Sequence, residues 1–286
     1  MKHFFIITNQ QKDKELTLTK QMQAFIEEKG GSCSYLAMEG KKGVDALPQP
    51  ESIPEETECM LVLGGDGTLI RVAARFVSCR IPLIGVNLGT VGYLCELETE
   101  SVLQALERLM EDNYVVEERM LLTGHGEMRG EYTSERLALN EIAIRSAGSL
   151  SILNLIVYVN GKYLHTFHGD GMIVSTPTGS TGYNMSAGGP IVDPKANLLL
   201  LTPINAHNLN TRSIVIDAKE EVVVEIGSRR VELDETAQVS FDGDGVAELR
   251  VGDRFLIKQA EAKVKVCKLS EESFLEILRK KMQAYS

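Results

Sequence analysis

The chain has no CxxC pair, no clustered histidines, no excess of positive charge and no long apolar run, and each absence removes a class of function. Its five cysteines (Cys33, Cys59, Cys79, Cys95 and Cys267) are odd in number and irregular in spacing. A disulfide framework or a zinc site is therefore not expected, and buried, reduced thiols are. The five histidines are equally scattered, so no metal-ligand spacing emerges. A formal net charge of −10 argues against general binding to nucleic acid or to an anionic membrane, since both need a basic surface. A local basic patch stays open. No apolar run approaches the ~20 residues of a membrane span. The first residues, Met1 to Thr8, are too short for a signal peptide and end without a small-residue cleavage site. They read as a first strand, and the expected location is cytoplasmic. No GxGxxG sequence opens a helix, which speaks against a Rossmann oxidoreductase. No fixed-period repeat or low-complexity tract occurs.

What is present is the composition of a globular protein with room for a sizeable core: 286 residues, 43% hydrophobic and 24% charged, enough for one large or two ordinary domains. The first third alternates strand and helix signals. Phe4–Thr8 reads as a strand; Leu18, Met22, Phe25 and Ile26 form a helical face ended by Gly30-Gly31. A short strand follows near Cys33–Leu36, and then a loop over residues 38–57. Cys59–Leu63 reads as a buried parallel strand, Leu69, Val72, Ala73 and Phe76 as a helix, and Ile81–Val86 as another strand. Val102, Leu106 and Leu109 mark a helix near 101–112. This alternation predicts an α/β domain with an open, mostly parallel sheet over residues 1–118. Ligands of such sheets bind beyond the carboxyl ends of the strands.

Around residue 118 the pattern changes. Short β-rich runs succeed one another, among them Leu137–Ile144, Ile152–Val159, Met172–Ser175, Leu198–Leu201, Glu221–Ile226 and Arg254–Lys258. Asn160-Gly161 and Asp242-Gly243 are turn signals between them. The spacing predicts an all-β, sandwich-like domain over 119–266. Phe274, Leu278 and Met282 give a last helical stripe in 267–286, with Ser270 as its expected cap and Glu271 and Glu272 in its first turn.

Three clusters carry chemistry. Gly64-Gly65-Asp66-Gly67-Thr68 lies between a strand and a helix, where backbone N–H groups and the positive helix end converge on phosphates. Its glycines let a phosphate approach the main chain. A carboxylate would repel that phosphate, so Asp66 reads either as a reacting group or as a structural N-cap. Asn140-Glu141 interrupts an apolar strand. The pair either faces solvent at a bulge or holds a ribose, whose hydroxyls a carboxylate accepts and an amide both accepts and donates to. Gly169 to Pro190 holds small hydroxyls and glycines with a single Tyr; it is either a surface loop or a pocket wall against which a planar base slides.

These residues resemble the NAD kinase family. The family shows a GGDG(T/N) turn, an NxGxxG(F/Y)L stretch, an Asn-Glu pair and a DGxxxSTPTGSTAY…SxGGP segment. This chain has Gly64–Thr68, Asn87–Leu94, Asn140-Glu141 and Asp170–Pro190 in that order, and Ser240–Asp244 resembles the family's SxDG element. The resemblance implies a transferase that moves the γ-phosphate of ATP to the 2′-hydroxyl of the adenosine ribose of NAD, with Mg²⁺ or another divalent cation carried on the ATP phosphates and no metal site of the protein's own. It implies that 119–266 binds NAD, that 267–286 packs back on the first domain, and that the active site lies between the domains of a homodimer or homotetramer. Asp66 becomes the proton acceptor, Gly67 contacts NAD and Arg71 lies near the phosphates. Asn140 and Glu141 hold the adenosine and its ribose. Asp170, Thr181, Gly182, Tyr183, Asn184 and Ser186 line the pocket. His168 stands where some members carry a basic residue, and Asp244 where many carry Gln or Asn. Gly182 replaces the family's Ala, which should loosen the pocket slightly. The stretch from Ala206 to Arg212, including His207, reads mainly as structural. A lipid or sugar kinase sharing the GGDGT turn and a non-catalytic dinucleotide sensor are the rival readings.

Overall fold

The computed structural model describes residues 1–38, 47–89, 92–148, 152–207, 211–228 and 236–284. The chain forms two compact units, Met1–Arg119 together with Lys263–Ser286, and Met120–Ala262.

The first unit is an α/β layer structure. Strands β1 (His3–Asn9), β2 (Ser32–Met38), β3 (Cys59–Gly64), β4 (Leu83–Asn87) and β5 (Leu97–Glu98) are all parallel, with β3 between β1 and β4 and with β2 outside β1. Every residue of Cys59–Leu63 is sealed from solvent, as a strand covered on both faces requires. Helices α1 (Thr17–Glu28), α2 (Asp66–Phe76) and α3 (Val102–Met110) connect the strands. The buried faces of α1 and α3, Met22, Ile26, Leu106 and Leu109, meet Ile6, Leu61 and Leu63 in one core. The strand expected from Ile81 starts at Leu83, because Pro82 has no N–H to give a ladder; its carbonyl accepts from Met60 N instead. In the span read as a loop, Pro50–Ser52 make a single 3₁₀ turn, and residues 39–46 lie outside the described residues.

The second unit is antiparallel throughout. Strands β6 (Val115–Met128), β7 (Glu131–Tyr132), β8 (Arg136–Ala138), β10 (Leu153–Val159), β11 (Lys162–Gly169), β15 (Val222–Gly227) and the first part of β18 (Arg254–Lys268) form one sheet. The second sheet has the order β14 (Ile214–Asp217), β13 (Leu198–Ile204), β12 (Gly171–Ser175), β9 (Glu141–Ser146), β16 (Thr236–Phe241), β17 (Asp244–Arg250). Leu122, Leu155, Val157, Val224 and Phe255 from the first sheet pack on Ile142, Ile144, Val174, Leu201 and Val239 from the second. A shared core between two antiparallel sheets is a sandwich, the architecture the turn spacing predicts. Gly124 in β6 leaves room for the Phe255 ring, which a Cβ there would meet at 2.9 Å.

The end of β18 pairs with β4 through Val266 and Leu83, returning the chain to the first sheet. Helix α5 (Phe274–Ala284) then follows. Ser270 does not cap it. The amides of Leu269 and Ser270 donate to the Glu96 carboxylate, which keeps this stretch non-helical for three more residues. Ser273 takes the role instead: its Oγ accepts from Glu276 N, and the Glu276 carboxylate accepts from Ser273 N at 2.7 Å. This is a capping box.

Candidate active site

In the first unit, β3 ends at Gly64 and α2 opens at Asp66, with Gly65 extended between them at φ −131° and ψ −177°. Gly64 is pressed against Thr68, whose side-chain atoms a Cβ would strike. The Asp66 carboxylate accepts three backbone hydrogen bonds, from Tyr93 N at 2.6 Å, Leu94 N at 3.2 Å and Cys95 N at 3.1 Å. A Cβ on Gly92 would overlap Asp66 Oδ1, so glycine is required there for the chain to close on the carboxylate. Two sequence motifs thus become one object: the second glycine stretch wraps the acid of the first. Thr90 and Val91 of that stretch lie outside the described residues. A carboxylate offers about four lone-pair sites; three amides take three of them, and the Cys95 thiol bonds the same carboxylate, a weak donor that a substrate alcohol would have to displace. Gly67 is exposed, with open space where a side chain would stand. Arg71, one turn on, donates from Nε to Gly67 O at 3.1 Å, which lays its cation along the first turn of α2. Burial pushes the Cys95 thiol up to about 12, with the Asp66 charge adding to that and the Lys12 charge opposing it.

In the second unit the organising residue is Asp242, which stood outside the candidate set; its only sequence signals were a turn dipeptide and the SxDG likeness. It sits at φ +49° and its carboxylate accepts from Leu139 N at 2.7 Å, Asn140 N at 2.8 Å and Glu141 N at 3.0 Å. Its own N–H donates back to Glu141 O at 3.0 Å. The Asn-Glu pair is thereby fixed at the entry to β9. Desolvation pushes the Asp242 carboxyl up to about 6 even though three amides oppose the shift. Glu141 rises further, to about 8, from burial first and the Asp242 charge second, with the Tyr183 amide acting against both. Glu141 Oε2 and Asn140 Oδ1 are buried and have no hydrogen-bond partner among the described residues. An unmet buried polar atom costs about 1–3 kcal/mol, and two of them side by side mark a place built to receive donors.

The Ser/Thr/Gly segment closes on this pair. Ser175 Oγ and Thr176 N both donate to Asn140 O, and Thr176 Oγ1 donates to Leu139 O at 2.7 Å. A Cβ on Gly179 would overlap Asn140 O, and one on Gly182 would stand 3.2 Å from Glu141 Oε2 and 3.3 Å from Asn140 Nδ2. Tyr183 opens the short helix α4 (Tyr183–Ser186) and packs on Ala143, Ile173 and Ile204. Asn184 turns inward. Its amide donates to Ser180 O and Pro190 O, and its Oδ1 accepts from Thr202 Oγ1 at 2.6 Å. The side chain is wholly buried and braces the loop. Thr181 Oγ1 donates to Thr178 O at 3.4 Å, and Ser186 is exposed.

Asp170 and His168 lie elsewhere on the unit. Ser175 pairs with Glu141 and Gly171 with Arg145, so Asp170 is just beyond the far end of β12, about 17 Å along the strand from the Glu141 level. Asp170 Oδ2 accepts from Asn205 Nδ2 at 2.8 Å, and His168 O accepts from His207 N at 2.8 Å. Residues 208–210 of the His207 stretch lie outside the described residues. Asp244 lies opposite Phe241 at the β16–β17 turn, close enough that its charge helps raise Asp242.

The molecule is thus of a recognisable class: an α/β unit with a carboxylate seated in a glycine turn, and a β-sandwich unit with an Asn-Glu pair walled by a hydroxyl-rich loop. Residues 49–114 match the model of the ATP-NAD kinase N-terminal domain, and residues 139–269 that of the ATP-NAD kinase C-terminal domain. The chain is 56% identical to the NAD kinase of Agathobacter rectalis over 286 residues, the full length of both, and 40% identical to that of Lachnoclostridium phytofermentans over 283 residues, 98% of this chain and 99% of the relative. Its fold matches the crystal structure of a yeast NADH kinase complexed with NADH (TM-score 0.84, 21% identity, 99% of this chain and 88% of that one). It also matches an NAD kinase from Archaeoglobus fulgidus in complex with ATP (TM-score 0.77, 24% identity, 98% of each chain). The chain belongs to the NAD kinase family.

Proposed function

We propose that the chain transfers the γ-phosphate of ATP to the 2′-hydroxyl of the adenosine ribose of NAD, giving NADP. The observation that carries this reading is the buried, unpartnered pair Asn140 Oδ1 and Glu141 Oε2 beside the Gly182-Tyr183 wall. Ribose hydroxyls supply the missing donors. The roughly 17 Å between the Glu141 level and Asp170 suits a ligand as long as a dinucleotide, held at one end by Asn140 and Glu141 and at the other by Asp170. Asp66 receives the acceptor hydroxyl's proton as transfer proceeds, an assistance typically worth ~10²–10⁴-fold. Arg71 and the positive end of α2 offset charge developing on the phosphoryl oxygens.

Mg²⁺ enters this proposal as the partner of the ATP phosphates, and no step here is routed through it. The homodimer or homotetramer that the resemblance implies is kept as a proposal, tested by sedimentation velocity. Among the described residues no helix is long and apolar enough to cross a membrane.

The deciding experiment incubates the protein with ATP, Mg²⁺ and NAD and detects NADP with an NADP-specific dehydrogenase. Formation of NADP is expected; its absence at saturating substrates overturns the reading. Glu141→Ala should weaken NAD binding measured by calorimetry, and an unchanged affinity removes Glu141 from the ribose.

A further inference from the structure

The loop after β1 carries Lys12, which belongs to none of the motifs. Its backbone is pinned: Lys12 N and Asp13 N donate to Asn9 O at 3.0 and 2.9 Å. The next residue, Asp13, is a buried acid that accepts from Leu18 N at 3.0 Å, Thr19 N at 3.1 Å, Thr19 Oγ1 at 2.6 Å and Thr8 Oγ1 at 3.2 Å. Asp13 therefore ties the loop to β1 and to the start of α1, and gives the neighbouring lysine a fixed origin.

From that origin the ammonium reaches across both glycine turns. A Cβ on Gly65, after β3, or on Gly89, after β4, would stand 3.5 Å from Lys12 Nζ. That is ordinary van der Waals contact, so the ammonium lies directly against both turns. Lys12 is exposed, and no carboxylate of a described residue pairs with its ammonium. It lines a cleft of about 630 Å³ with Lys14, Asn87, Gly89, Glu98 and Glu100. The two glutamates make this cleft hostile to a polyanion unless a cation answers them. Lys12, with Lys14 on the same cleft, answers that need, and of the two it is the Lys12 ammonium that stands beside both glycine turns.

We propose that Lys12 grips the terminal phosphates of the phosphoryl donor, a nucleoside triphosphate, over the Gly65 and Gly89 turns. This rests on the kinase reading above. As the bond from the acceptor oxygen to the γ-phosphorus forms, the bond from that phosphorus to the β–γ bridging oxygen breaks. The hydroxyl proton passes to Asp66, and the electron pair leaves with the nucleoside diphosphate. The ammonium stands where that added charge appears, as a point charge with three donors.

The test compares wild type with Lys12→Met and Lys12→Arg in steady-state assays of NADP formation, with calorimetric titration of a non-hydrolysable ATP analogue and, separately, of NAD. Lys12→Met should lower kcat/KM for ATP by about 10- to 100-fold and weaken the analogue by a similar factor, as expected for loss of a charged hydrogen bond. NAD affinity and the melting temperature should stay unchanged, and Lys12→Arg should restore most of the loss. Kinetics in ATP and analogue affinity within about twofold of wild type overturn the proposal, as does an equal loss of NAD and analogue binding. If wild type binds the analogue through Lys12 yet makes no NADP, the kinase reading fails and the donor site stands.

Discussion

Both units hold a carboxylate in the same grip, and under the proposed function the two have different uses. Asp66 accepts the amides of Tyr93, Leu94 and Cys95; Asp242 accepts those of Leu139, Asn140 and Glu141. What differs is the charge around each. Asp66 opens a helix, next to the positive end of that dipole, with the Lys12 cation acting on the same neighbourhood. Asp242 faces two other acids, Glu141 and Asp244, and its carboxyl is pushed up to about 6. A three-amide cradle therefore does not by itself tell a reacting group from a brace. The surrounding field does, and it gives the comparison ways to break.

The largest effect should come from Asp66→Asn. Its amide keeps the shape and loses the proton acceptor, so kcat should fall at least ~10²-fold while NAD still binds. Near-normal turnover in a coupled NADP assay would make Asp66 a brace like Asp242.

The second concerns pH. Glu141 and Asp242 both have folded carboxyl pKa values above their ordinary ones, about 8 against 4.5 and about 6 against 3.8. Protonation thus favours the fold, and stability should be greatest below about pH 4 as far as these groups are concerned. It should fall as pH rises, through about 6 for Asp242 and about 8 for Glu141, by about 3 kcal/mol or more in urea unfolding. Glu141→Gln should flatten the fall between pH 6 and 8.5. A wild-type curve already flat over that interval refutes the assignment.

Third, Asp242→Ala leaves three amides without their acceptor and should cost about 2–4 kcal/mol, with Asp242→Asn milder because its carbonyl still accepts. An alanine variant as stable as wild type would strip Asp242 of its bracing role. The smallest effect is Gly182→Ala. The added methyl would press Asn140 and Glu141 from 3.2–3.3 Å, so NAD affinity should move by at most about fivefold, roughly 1 kcal/mol, with the fold intact. A larger loss would show the pair to be more tightly seated than the comparison assumes.

Much of this was legible in the residues. Helical faces such as Leu18, Met22 and Ile26, and buried runs such as Cys59–Leu63, declare themselves because periodicity and burial act over a few residues. β6 did not, because Glu117, Glu118, Arg119 and two glycines break its alternation. β11 did not either; as an edge strand with β10 alone beside it, it keeps polar residues along much of its length. Contacts that join distant segments leave no local trace. The amides on Asp66 come from 27 to 29 positions downstream, and those on Asp242 from about a hundred upstream. Lys12 and Asp13 look in sequence like an ordinary charged surface stretch. Asn184 looks like a ligand contact by type, and only the packing reveals it as a strut.

Gly92 carries a final consequence. It has no side chain to offer chemistry, yet a single methyl group there would evict the Asp66 carboxylate from its seat. In a saturation scan of growth-supporting variants, this position should reject every alternative while exposed neighbours accept many. The outline of the acid proposed to react would then be drawn by a residue with no side chain.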